Sequence, residues 1–123
     1  MPVVCDITYA RKDLRVDMRR RRKVLDEGDQ AAATMAVMAR LARVPILRKA
    51  ALVAGYRAVR GEVDIDASLV LLAERGTTIT VPRVNGEHLE FVRWTPEQPA
   101  EPGSFGIPEP TAGALVALDH HDV

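Results

Sequence analysis

AALVAGYRAVRGEVDIDASLVLLAERGTTITV, residues 50–81, is the stretch that decides the fold. Residues 50–56 form a short apolar run, which reads as a buried strand. RAVRGEV then makes a loop. Asp64 or Asp66 is placed to cap a helix over Ala67–Glu74, and Gly76 ends it. TTITV, residues 77–81, is β-branched throughout and reads as a second strand, closed by Pro82. A strand, a helix and a strand in this order build a parallel pair, so the chain is expected to be an α/β layered domain with a mostly parallel sheet.

Working outward, residues 7–26 read as a helix with Asp6 or Thr8 as its cap and Leu14, Met18 and Leu25 on one stripe. Gly28 and Asp29 separate it from a second helix over 30–44, which Pro45 ends. Asn85-Gly86 marks a tight turn, and His88–Trp94 alternates as a strand. Thr95 to Pro110 holds five of the eight prolines and can form neither a helix nor an inner strand. Residues 111–118 read as weakly helical or irregular, and LDHHDV as a solvated tail in which His120 and His121 lack a ligand partner at metal spacing. Two core strands and one edge hairpin leave the sheet looking incomplete at its C-terminal end.

The 123 residues suit one domain, 1–123, with room for a modest core. No apolar run is long enough for a membrane span, and the N-terminus has no signal-like apolar stretch, so a cytoplasmic protein is the default expectation. The single cysteine, Cys5, excludes an internal disulfide and a cysteine metal cluster, and no activating neighbour is visible. Seventeen basic and seventeen acidic residues cancel, which excludes a globally polycationic nucleic-acid coat. The balance is uneven: residues 1–23 carry +5 and the rest −5. That pattern fits a local phosphate site better than a broad nucleic-acid surface.

Three places are candidates for chemistry. Arg11 and Arg15 stand one helical turn apart, with Arg19 and Arg22 continuing the same side. Their guanidinium forks suit phosphate oxygens, but the same pattern also describes a solvated helix face or a nucleic-acid contact. The last is disfavoured by the absence of interleaved aromatics. YRAVRGEVDI, residues 56–65, puts a ring and the Glu62 carboxylate at a strand exit, where open α/β sheets bind ligands. Glu62 can accept paired N–H donors from a heterocycle, or serve as a loop acid or a helix-start residue. Phe105, in the stiff FGIPEP turn at 105–110, is either a core plug or a stacking platform for a flat ring. No metal site, Ser/His/Asp pattern or phosphate-cradling glycine loop is visible.

The ordered set RKDLR…MRRRR, AGYRAVRGEVDI, ERGTTITVPRVNGEHLEFVRW and GSFGIPEP resembles the 5-formyltetrahydrofolate cyclo-ligase family, also called 5,10-methenyltetrahydrofolate synthetase. The resemblance implies a three-layer α/β domain and an enzyme that uses ATP and magnesium to convert 5-formyltetrahydrofolate to 5,10-methenyltetrahydrofolate. It implies ATP contacts at Arg11, Lys12 and Arg15, with Arg11 standing where the family has lysine. It implies folate contacts at Tyr56, Arg57, Glu62 and Phe105. Family members continue with a further strand and a glycine-rich loop that this chain lacks. The expectation is therefore a C-terminally truncated member with weak or absent turnover and a sheet edge open to association. The alternatives are a non-catalytic folate- or nucleotide-binding remnant and a nucleic-acid or adaptor module built on the basic helix.

Overall fold

The computed structural model describes residues 6–98, 100–103, 106–111 and 113–123. Cys5 and Phe105 lie outside the described residues. In chain order the elements are α1 (Asp6–Lys23), α2 (Glu27–Leu41), α3 (Pro45–Lys49), β1 (Leu52–Ala54), α4 (Asp66–Glu74), β2 (Thr78–Asn85), β3 (His88–Trp94), β4 (Ala100–Pro102), β5 (Pro108–Pro110), β6 (Leu115–Val116) and a 3-10 turn at Leu118–His120.

The β1–α4–β2 unit is present as the sequence suggests, with Leu52, Val53 and Ala54 parallel to Thr78, Ile79 and Thr80. The sheet as a whole is mixed rather than mostly parallel. Its order is β1-β2-β3-β6, and the β2–β3 and β3–β6 pairs are antiparallel. The reason is local: Gly86 at φ 61° closes a tight hairpin, which returns the chain beside the strand it has just left. Arg83 faces Glu90 across that hairpin with an Nη2–Oε2 distance of 3.0 Å, and Asn85 Nδ2 donates to Glu90 Oε1 at 2.6 Å. The Asn85 hydrogen bond, and then the Arg83 guanidinium, hold the Glu90 carboxyl below its ordinary range.

β2 runs three residues past the expected stop at Pro82. Thr78 N–H donates to Ala51 O and Gly55 N–H to Thr80 O, so even-numbered positions of β2 face β1. β1 has ended by the level of Pro82, so no ladder bond is lost to the missing N–H. One step further, Val84 N–H donates to Glu109 Oε2 at 2.9 Å, so a side chain from β5 supplies the acceptor that β1 no longer can.

One sheet face carries the core. Val53, Ile79, Val81 and Trp94 cluster with Leu69 of α4, and Leu47 of α3 packs at the margin. Gly55 permits this approach: a Cβ there would stand 2.7 and 2.9 Å from the two Leu69 methyl carbons. Gly55→Ala is therefore expected to cost about 1–3 kcal/mol by overpacking. Urea unfolding measures it, and an unchanged midpoint would contradict the packing.

The opposite face holds buried Thr80, whose Oγ1 lies 2.7 Å from His121 Nε2. His121 Nδ1 faces the carbonyls of Ala117 and Leu118 at 3.1 Å, which assigns its proton there and leaves Nε2 to accept from Thr80. The ring also meets Phe91 edge-on at 5.3 Å. The expected solvated tail is thus docked. Asp122 Oδ2 accepts from Ala51 and Leu52 N–H, Asp122 N–H donates to Leu52 O, and Ala54 N–H donates to Val123 O. The outer edge of β1 is therefore occupied at these positions rather than open.

Helix boundaries also move. Asp26 caps α2 by accepting from Asp29 N–H at 2.7 Å, so the break falls before Asp26 and Gly28 lies inside the first turn. Pro45 opens α3 at its first turn rather than merely ending α2. The expected apolar stripe is not buried: Leu14 of α1 is 56% exposed, and Leu25, which falls beyond the end of α1, is 42% exposed.

Candidate functional site

α1 meets the rest of the molecule through its last two turns. Arg22 Nε donates to Arg60 O at 3.4 Å, and a Cβ on Gly61 would stand 3.4 Å from Arg22 Cβ. The partner is a tight turn in the β1–α4 connection. Glu62 N–H closes it on Val59 O at 3.1 Å, and Glu62 Oε1 accepts from Val59 N–H at 3.0 Å. Arg60 (φ 53°) and Gly61 (φ 77°) are its two central residues.

Between this turn and α1 lies a cleft of about 560 Å³, lined by Arg19, Arg22, Lys23, Gln30, Arg60 and Gly61. A second hollow of about 230 Å³ shares Arg19, Arg22 and Arg60 and adds Val59, Glu62 and Ile107. Asp17 pairs with Arg20 and Arg21 at 2.6 and 3.0 Å, which removes those two cations from consideration. Among the described residues no carboxylate pairs with Arg19, Arg22 or Lys23. The hollow therefore combines a strongly positive wall with one acid at its edge, an arrangement suited to a ligand that has both phosphates and a hydrogen-bonding heterocycle.

The residues singled out from sequence are not all brought together. Glu62 lines the cleft. Arg11 and Arg15 are exposed on α1, about 12 and 6 Å along the axis from Arg19 and on the same side, so they extend the positive wall away from Glu62. Lys12 is exposed as well. Arg57 is engaged: its guanidinium pairs with Asp66 at 3.2 and 3.3 Å and lies 5.6 Å from the Trp94 ring centroid. It fastens the strand-exit loop to the sheet. Tyr56 lines a different, apolar cavity of about 260 Å³ between α2, α3, β1 and α4. Lys23, Gln30 and Arg60 were not anticipated. Gly61, a residue that accepts positive φ, is the local sequence signal that could have pointed to a turn at Arg60.

Tyr56 O–H donates to Val63 O at 2.6 Å. Burial, and then the charges of Glu62 and Asp64, raise its pKa above the ordinary 10.0. A raised pKa means that the stabilisation is fully present below about pH 10 and is lost as pH rises through the folded value. In a Tyr9→Phe background, Tyr56 is the only tyrosine. Its phenolate absorbance is expected to appear with a midpoint above 10, and a midpoint at or below 10 would contradict this placement.

Among the described residues no group of three His, Cys, Asp or Glu side chains could hold a metal ion, and no helix is long and apolar enough to cross a membrane. The cleft therefore fits phosphate oxygens but offers no protein cage for magnesium, which usually takes one or two carboxylates.

Residues 7–123 match the model of the 5-formyltetrahydrofolate cyclo-ligase family. Among solved structures, the chain is similar to the NMR structure of Aquifex aeolicus 5,10-methenyltetrahydrofolate synthetase, with 27% identity and a TM-score of 0.75. The likeness covers 89% of this chain and 56% of that one, so the chain spans little more than half the length of that protein. No curated protein matches.

Proposed function

This chain belongs to the 5-formyltetrahydrofolate cyclo-ligase family, and we propose that it binds 5-formyltetrahydrofolate and the phosphates of ATP for the ring closure that gives 5,10-methenyltetrahydrofolate. In that reaction the formyl oxygen takes the γ-phosphoryl group and ADP departs. N10 then attacks the activated formyl carbon, and the former formyl oxygen leaves with inorganic phosphate. The task of the protein is to hold the two substrates in line and to offset the phosphate charge.

The single observation supporting this reading is that the positive wall of α1 and the Glu62 turn face one hollow, through Arg19, Arg22 and Glu62. Phosphates would lie along α1, with Arg11, Lys12 and Arg15 extending the contact, and the Glu62 carboxylate would accept N–H donors of the pterin. Tyr56 and Arg57 support the loop that carries Glu62, through Val63 O and Asp66 respectively. Phe105 is proposed as a folate contact on the resemblance alone. No step is assigned to magnesium. Because the chain spans 56% of the solved relative, these 123 residues are proposed to bind folate while turning it over weakly or not at all.

Titration with 5-formyltetrahydrofolate, followed by methenyl-folate absorbance with ATP and magnesium, tests the proposal. Saturable folate binding with little absorbance gain is the expected result. Robust turnover would refute the claim of weak catalysis. Absent folate binding, together with duplex binding that falls steeply with salt, would replace it with the nucleic-acid reading.

A further inference from the structure

We propose that the apolar cavity between α2, α3, β1 and α4 is a binding site for a medium-chain carboxylate, whose charged end is held by Arg48 and Arg75 and whose alkyl chain lies along Leu47, Leu69 and Leu72. The cavity shares no lining residue with the hollows beside α1, and the site does not depend on the folate reading.

The two cations reach one rim because of how the sheet starts. Thr78 N–H donates to Ala51 O at 2.9 Å, and Thr77 Oγ1 donates to Ala50 O at 3.5 Å. Arg75 stands two residues before Thr77, and Arg48 two residues before Ala50. The end of α4 is thereby brought beside the end of α3, with Arg48 in the last turn of one helix and Arg75 at the C-cap of the other. Both side chains are exposed, and both line the cavity. Among the described residues no carboxylate pairs with either, and no Asp or Glu lines the cavity. Their guanidinium forks are therefore free to take a carboxylate.

Beyond that rim the wall is apolar. It runs through Leu72 and Leu69 to Ser68, seven residues before Arg75 and so about 10 Å along α4. Tyr56 stands at the far end, just past β1, but its O–H is given to Val63 O. Ser68 is then the one remaining polar side chain on the lining.

The ligand class follows from this division of charge. A polyanion would press unpaired oxygens against leucine, and a neutral hydrocarbon would leave the forks unused. A single carboxylate on an alkyl chain satisfies both ends of the cavity. Its volume of about 260 Å³ holds roughly eight or nine groups of about 30 Å³ each, which is the size of octanoate.

Isothermal titration of the 123-residue chain with octanoate, and with 1-octanol as the uncharged control, tests the site. Octanoate is expected to saturate with a Kd of about 0.1–1 mM, ordinary for a ligand of about ten non-hydrogen atoms. Octanol should bind about threefold to tenfold more weakly, and the double variant Arg48→Gln/Arg75→Gln should bring octanoate to the same level. Both substitutions fall on exposed side chains, so the melting temperature should hold. Arg43→Ala removes an exposed cation that does not line the cavity and should change affinity by less than about twofold. From hexanoate to octanoate each methylene should approach the gain of about fourfold expected for full burial, and the gain should stop by dodecanoate. Saturating 5-formyltetrahydrofolate should leave octanoate affinity unchanged, and competition between the two would overturn the separate site. Equal affinity for octanoate and octanol, an unchanged Kd in the double variant, or a gain that continues through dodecanoate overturns the proposal. Failure to saturate below about 10 mM also overturns it. A concentration-dependent dimer in sedimentation equilibrium would then assign the cavity to a second copy of the chain.

Discussion

Trp94→Ala is expected to lower the unfolding free energy by about 3–5 kcal/mol. Trp94 is only 6% exposed and sits in the cluster of Val53, Leu69, Ile79 and Val81. It is paired with Ile79 on the adjacent strand. Removing the indole deletes the largest side chain of that core and leaves a void that one helix residue and three strand residues cannot collapse to fill. A loss of this size is a large fraction of the stability of a small domain. The effect reaches the site, because Arg57 lies over the ring while pairing with Asp66. Without the indole Arg57 keeps only its pairing with Asp66 to fasten the strand-exit loop. Folate affinity should fall with stability, whereas Trp94→Phe should restore much of both. Trp94 is the only tryptophan, so unfolding of the variant must be followed by circular dichroism. A loss below about 1 kcal/mol would contradict the ring's place in the core.

The second large effect is expected at Glu62. Glu62→Gln keeps an oxygen for Val59 N–H and so preserves the turn, but it replaces a charged acceptor with an amide. If the carboxylate receives pterin N–H donors, 5-formyltetrahydrofolate should weaken by about tenfold to a hundredfold, the range for hydrogen bonds to charged groups. Tripolyphosphate affinity should hold or improve, since a negative charge beside the cleft is removed. Folate affinity within twofold of the parent would return Glu62 to the role of a loop acid.

How far these features could be read in advance depends on how local their causes are. The β1–α4–β2 unit was legible because Leu52–Ala54, Gly76 and Thr78–Val81 each announce their conformation within a few residues. The Asn85-Gly86 hairpin was legible for the same reason, but an antiparallel majority in the sheet also needs β6 to pair with β3, which no local window shows. The persistence of β2 through Pro82 depends on where β1 stops, and the docking of His121 depends on Thr80 some forty residues away. Neither cause is visible in a local window. The α/β class is supported by the solved relative, with its TM-score of 0.75. At the site, the basic stripe of α1 and Glu62 were legible as residue types. Which arginines face Glu62 was not, because that depends on the Arg60-Gly61 turn meeting the last turns of α1 rather than its first. Arg57, expected among the folate contacts, is tied to Asp66 and Trp94 by contacts that only the fold creates.

Amide chemical-shift mapping of the 123-residue chain, titrated first with tripolyphosphate and then with 5-formyltetrahydrofolate, would probe the shared hollow most directly. The expected result is that tripolyphosphate moves Arg19, Arg22 and Arg60, that folate moves Val59 and Glu62, and that the two sets adjoin. Perturbations confined to the first two turns of α1, or to the apolar cavity beside Tyr56, with residues 59–62 unmoved, would contradict the account.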